Sequence, residues 1–145
     1  MNLLDYTDIF VLICNFLPTI KEIIQLELLS KYHQNIIRTI DWFKEVKVKN
    51  DSVLEHVLKY YKFRWLNISS ICDVNGFIKE LKNCHTLNLA GTKITDASVK
   101  ELKNCHTLYL YGTNITDANV KELKNCHTTG LRAYGMQSIP YAVTH

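Results

Sequence analysis

Apolar positions along this chain change their period twice. From Asp8 to Leu17 the segment is apolar almost all round, broken mainly by Asn15. After Pro18, Thr19 and Glu22 form a T-x-x-E capping box, which predicts a second helix through IIQLELL. A third helical segment, Lys31 to Ile40, sets Ile36, Ile37 and Ile40 at helical spacing. The period then drops to two. Residues 42–49, WFKEVKVK, alternate as an edge strand does, with Val46 and Val48 on one face. Ser52 and Glu55 read as another capping box, and the helix behind it places Val53, Leu54, Val57, Leu58 and Tyr61 on one stripe. The boundary between the two regimes falls at Asn50–Asp51.

Beyond that point the sequence repeats. KELK occurs at 79–82, 100–103 and 121–124, and Cys84, Cys105 and Cys126 share the same 21-residue spacing. Each full copy reads C-x-x-L-x-L-x-x-T-x-I-T-D-x-x-V-x-x-L. This resembles the leucine-rich repeat, with Cys in the first Leu slot and Thr in the Asn/Cys slot. Leu87 and Leu89, and again Leu108 and Leu110, alternate as on a half-buried strand. Asp96 and Asp117 are expected to cap short helices in which Val99 with Leu102, and Val120 with Leu123, share a face. Asn83, Asn104 and Asn125 are expected to end the helices in left-handed backbone. A degenerate copy fits residues 62–82, with Leu66 and Ile68 in strand slots, Ile78 and Leu81 in helix slots, and Trp65 in place of Thr. A last copy starts at residue 125 and fails, with Thr129 in the strand Leu slot. The tail to His145 either covers the open edge or is the relic of a longer array.

Cysteine beside histidine raises the question of a metal. Adjacent residues of an extended segment point apart, so Cys84, Cys105 and Cys126 are expected in the core and His85, His106 and His127 outside. The C-x-x-C and H-x-x-H spacings of zinc sites are missing. No metal and no cofactor is expected.

Composition narrows the function classes. With 47% hydrophobic and 21% charged residues the chain reads as soluble and globular. No apolar run approaches the ~20 residues of a membrane span, and the first one lacks a basic leader. Five cysteines, an odd number, point to a reducing compartment, hence the cytoplasm. The net charge of +3 is too small to argue for nucleic acid. It is uneven, −1 over residues 1–48 and +4 over 49–145. No phosphate loop, nucleophile elbow or spaced carboxylate pair is found, so the chain is read as non-enzymatic.

The segment DIFVLICNFLPTIKEIIQLELLSKYHQNII carries a second resemblance. It is similar to the F-box, with Asp8 and Ile9 at its acidic-Ile pair, Ile13 at its central Ile, and Leu28, Leu29, Ser30 and Lys31 at its later L-V-S-K segment. Its leading Leu-Pro is missing, since Leu4 precedes Asp5, and Tyr32 and His33 stand where Arg-Trp is usual. An F-box followed by leucine-rich repeats resembles in particular the short F-box/LRR proteins of amoeba-infecting giant viruses, which would place the chain in host cytoplasm. The expected fold class is α+β: an F-box-like three-helix domain (1–50), a linker and capping helix (51–61), about three strand–turn–helix units of a solenoid (62–128) and a degenerate tail (129–145). The resemblance implies an adaptor that binds the Skp-type subunit of a cullin ubiquitin ligase through Leu4, Ile9, Ile13, Leu17 and Pro18. Its repeats would hold an unknown target protein through outward residues Asn88, Tyr109 and Tyr111, with neither nucleic acid nor membrane as partner. The alternative is a binding module whose helices only cap the repeats.

Overall fold

The computed structural model describes residues 5–17, 19–123 and 126–129. Helix α1 (Tyr6–Phe16) begins earlier than the apolar run suggested, because Asp5 caps it. The Asp5 side chain accepts from the Asp8 amide, and the Asp8 carboxylate accepts from the Asp5 amide. Helix α2 (Ile20–Leu26) starts at the Thr19–Glu22 box read from the sequence. Helix α3 (Lys31–Thr39) is capped by Ser30. Helix α4 (Asp51–Tyr60) is capped by Asn50 rather than Ser52. Asn50 Oδ1 accepts from the Val53 amide at 2.9 Å, and Ser52, one residue into the helix, donates to the same oxygen. Asn and Ser are equally good caps, so sequence alone could not choose between them.

Five parallel strands lie in chain order in one sheet: β1 (Asp41–Lys47), β2 (Lys62–Asn67), β3 (Thr86–Asn88), β4 (Thr107–Tyr109) and β5 (His127–Thr129). Parallel neighbours require crossovers. They are supplied by α4, by a 3-10 turn (Asn75–Phe77) leading into α5 (Ile78–Leu81), by α6 (Asp96–Lys100) and by α7 (Asp117–Val120). The described residues thus hold seven helices and one parallel sheet, a mixed α/β arrangement. Residues 21 apart are strand partners: Leu66 faces Leu87, and Leu87 faces Leu108. At β5 the alignment slips by one, so that Thr128, not the expected Thr129, faces Leu108. Edge strand β1 precedes the Asn50–Asp51 boundary yet pairs with β2, and the Arg64–Asp41 ion pair at 3.1 Å joins the two.

One apolar core runs from Phe10 to Leu123. It holds the strand residues Leu66, Ile68, Leu87, Leu89, Leu108 and Leu110, and the helix residues Ile78, Leu81, Val99 and Leu102. Trp42 is fully buried, donates from Nε1 to the Ile37 carbonyl at 3.1 Å, and lies against the Phe63 ring. Thr92 and Thr113 are buried as well, and each hydroxyl donates to the carbonyl three residues back, at 2.8 and 2.7 Å. That bond explains why a small polar residue fills this slot, since a buried hydroxyl needs a partner.

Two expectations about the turns need correction. Thr95, not Asp96, caps α6, its hydroxyl accepting from the Ser98 amide. Asp96 instead reaches across to the next copy, where its carboxylate accepts from the Thr116 amide (2.9 Å) and hydroxyl (3.1 Å). One copy earlier Asn75 does the same for the Thr95 amide at 3.0 Å. Asn83 and Asn104 do not adopt left-handed backbone; among the described residues only Gly91 (φ 72°) and Gly112 (φ 69°) do so. Asn125 lies outside the described residues.

Glu27 and Arg38 form the best-placed ion pair, two bonds of 2.8 and 3.0 Å between the end of α2 and α3. Burial pushes the Glu27 carboxyl up, but the Arg38 hydrogen bonds, with the neighbouring Tyr61, the Arg38 charge and Gln34, outweigh it and hold its pKa below the usual value. A depressed folded pKa stabilises above the unfolded value and loses that contribution as pH falls through the folded one. Urea midpoints should therefore fall from about pH 4.3 downward, and Glu27→Gln should flatten that slope while lowering stability at pH 7. An unchanged acid slope in Glu27→Gln would remove Glu27 as its source.

Candidate functional site

Two outward faces emerge, one on the helices and one on the sheet. Helix α1 is apolar on both sides. Phe10 and Cys14 are buried against the core. Tyr6, Ile9, Leu12, Ile13 and Phe16 form a second stripe at spacings of three and four, each between 45% and 80% exposed. Around the α2–α3 turn Leu28, Leu29 and Tyr32 are also exposed, Leu28 at 85%. The tip of α1 is tied to the start of α3 by side-chain bonds. His33 is held between Ser30 Oγ (2.7 Å) and the Tyr6 hydroxyl (2.8 Å), and Thr7 Oγ1 meets the Tyr32 hydroxyl at 2.7 Å. The stripe is therefore presented on a braced surface rather than on a fraying helix.

Of the residues singled out on this side, Ile9 and Ile13 lie on the exposed stripe, while Leu17 is half-buried and packs on the core. Leu4 and Pro18 lie outside the described residues. Tyr6, Leu12, Leu28, Leu29 and Tyr32 were missed as site residues, and so was the exposure of Phe16. The signal was available for α1: its sequence puts apolar residues at 6, 9, 13 and 16 as well as at 10, 14 and 17.

The outward side of the sheet carries Glu45 on β1, Trp65 and Asn67 on β2, Thr86 and Asn88 on β3, and Thr107 and Tyr109 on β4. Register sets Asn67 beside Asn88 and Asn88 beside Tyr109. Tyr109 and Tyr111 are 37% and 53% exposed, and Trp65, not among the expected residues, is exposed as much as Tyr109. Asn88 is half-buried, and its Oδ1 accepts from the Ala90 amide at 3.0 Å, which commits that oxygen to the strand end. Asn67 is more fully engaged, donating to Glu45 at 2.7 Å while accepting from Ser69.

The Cys–His pairs divide as the alternation of an extended chain requires. Cys84 and Cys105 are buried, and burial pushes their thiols up to about 12, far from reactive thiolates. His85, His106 and His127 form an exposed row on the other side. The first two rings stack at 4.4 Å between centroids, and the second pair lies at 4.9 Å. Nδ1 of His85 and of His106 lies at 3.1 and 3.0 Å from the hydroxyl of Thr86 and of Thr107, which engages one nitrogen of each ring. Among the described residues no three His, Cys, Asp or Glu side chains converge as metal ligands. Cys105→Ala should lower unfolding free energy by about 1–2 kcal/mol, the cost of a small cavity. Denaturation of a variant that also proved to have lost a bound metal would overturn the packing role. Among the described residues no helix is long and apolar enough to cross a membrane. No family model, curated protein or solved structure matches the chain.

Proposed function

We propose that the protein is a non-catalytic adaptor, with an F-box-like helical segment docking the Skp-type subunit of a cullin ubiquitin ligase and a short leucine-rich-repeat solenoid holding a target. The observation that carries this reading is the exposed α1 stripe. Five large apolar side chains in one line, with three more around the α2–α3 turn, cost free energy in water unless something covers them. Their inner neighbours are already spent on the core, so this surface is free for a partner. Parallel strands joined by short crossovers, with residues 21 apart in register, support the solenoid reading.

A second observation favours the capping role for the same helices. Strand β1 directly follows α3 and extends the sheet, and the core is continuous from α1 into the repeats. The inner side of the helices caps and the outer side docks, so the two roles are compatible. The test is capture of the full chain by an immobilised Skp-type subunit. Absence of capture by folded protein leaves the cap alone and removes the adaptor role. On the sheet face, Tyr109→Ala should weaken an identified target by about 1–2 kcal/mol without affecting capture by the Skp-type subunit. Loss of the latter with the target unaffected would mean that the two faces are exchanged.

A further inference from the structure

A cleft of about 580 Å³ opens at the edge where the chain enters strands β1, β2 and β3, beside the end of α4. That volume is in the range of small-molecule sites, roughly 300–1,000 Å³. Its inner wall is apolar, with Val57, Leu58 and Phe63. Its mouth is charged: Lys62, Arg64 and Lys82 against Asp41 and Glu80. Asp41 is already engaged by Arg64 Nη2 at 3.1 Å. Among the described residues Lys62 and Lys82 make no ion pair, so Glu80 alone opposes two unpaired cations.

Arg64 carries the second observation. The Asp41 bond holds one end of its guanidinium, while its Nε is buried without a hydrogen-bond partner. The side chain as a whole is 42% exposed, so the N–H groups of the guanidinium that Asp41 does not hold can meet an oxyanion from the cleft. Arg64 also stands 21 residues before His85, so the histidine row continues this edge away from the cleft. We propose that this cleft binds a small anionic molecule through a phosphate or carboxylate group. The group would lie between Arg64 and Lys82, and its apolar or ring portion against Val57 and Leu58. Glu80 and Asp41 interrupt the basic surface, which favours a compact anion over an extended polyanion.

The proposal is independent of the adaptor role and is tested on the full chain by calorimetric titration. Inorganic pyrophosphate and citrate serve as separate probes at low ionic strength. At least one should give saturable one-to-one binding, and the tighter of the two identifies the group as phosphate or carboxylate. Arg64→Gln and Lys82→Gln should each weaken it about tenfold, the loss of one charged hydrogen bond. Lys121→Gln, outside the cleft, should change it by less than about twofold, as expected of a screened charge. Lys82 is exposed, so its variant keeps the test valid should Arg64→Gln fold poorly. No saturable heat with either probe, or equal loss in all three variants, overturns the site.

Discussion

Ile13→Asp should abolish capture by the Skp-type subunit, weakening it at least about a hundredfold, while the free protein melts close to wild type. Ile13 is 54% exposed, on the outer stripe of α1. In the free chain a carboxylate there stays in water and costs little. In a complex it would be desolvated against an apolar surface with no partner, a penalty of several kcal/mol. The same change at Cys14, one residue on but fully buried, would instead unfold the helices. The paired outcome is the informative one: lost capture with retained melting. A folded Ile13→Asp protein that binds as tightly as wild type would remove α1 from the docking surface.

Trp42→Ala should be the most damaging of the single truncations considered, costing about 3–5 kcal/mol in urea unfolding followed by circular dichroism. Small domains have only about 5–15 kcal/mol in total, so a large part of the margin would go. The residue fills the junction of α3, β1 and β2. Removing it leaves a cavity beside Phe63 and strips the Ile37 carbonyl of its donor. Trp65 is the internal control. It lies on the outward side of β2 and is 37% exposed, so Trp65→Ala should cost less than about 1.5 kcal/mol. A larger effect at Trp65 than at Trp42 would mean that the buried and outward sides of the sheet are assigned the wrong way round.

The repeat made most of the sheet legible. Two signals, alternation within a strand and recurrence after 21 residues, coincide at Leu87 and Leu108, and either alone would have been weaker. Thr19 was legible because its partner Glu22 stands at the spacing a capping box requires. Local competition defeated the reading where two adjacent residues could each do one job. Thr95 and Asp96 are both good caps, and only the position of the next copy decides that Asp96 bridges outward. Gly91 and Gly112 were overlooked as the left-handed positions although they recur at the repeat spacing. The Asn residues drew attention instead, because Asn tolerates that backbone too. The alternation of β1 reads as an edge strand, but its pairing with β2 was hidden for a different reason. Its partner Phe63 is 21 residues from Trp42, but across a segment with no sequence echo. The candidate faces were half legible. Ile9 and Ile13 were found by resemblance, whereas Trp65 and the Arg64 cleft depend on which side chains remain uncovered after packing, a property of the whole chain.

The bond from Asp96 to Thr116, and its counterpart from Asn75 to Thr95, gives the segment between them a socket, Thr95, directly beside a plug, Asp96. A tandem duplication of the coding sequence for one such segment would insert a unit already fitted for both neighbours, with its leucines in register and its turn hydroxyls partnered. Lengthening the array by whole segments keeps that pairing, whereas an offset of 20 residues shifts the strand register by one, as it does at β5. Recombination between near-identical segments can thus resize the sheet face in whole steps, leaving the helical end untouched. The same modularity lets a substitution such as Asn88 to Tyr109 be tried in one copy while its sibling preserves the scaffold.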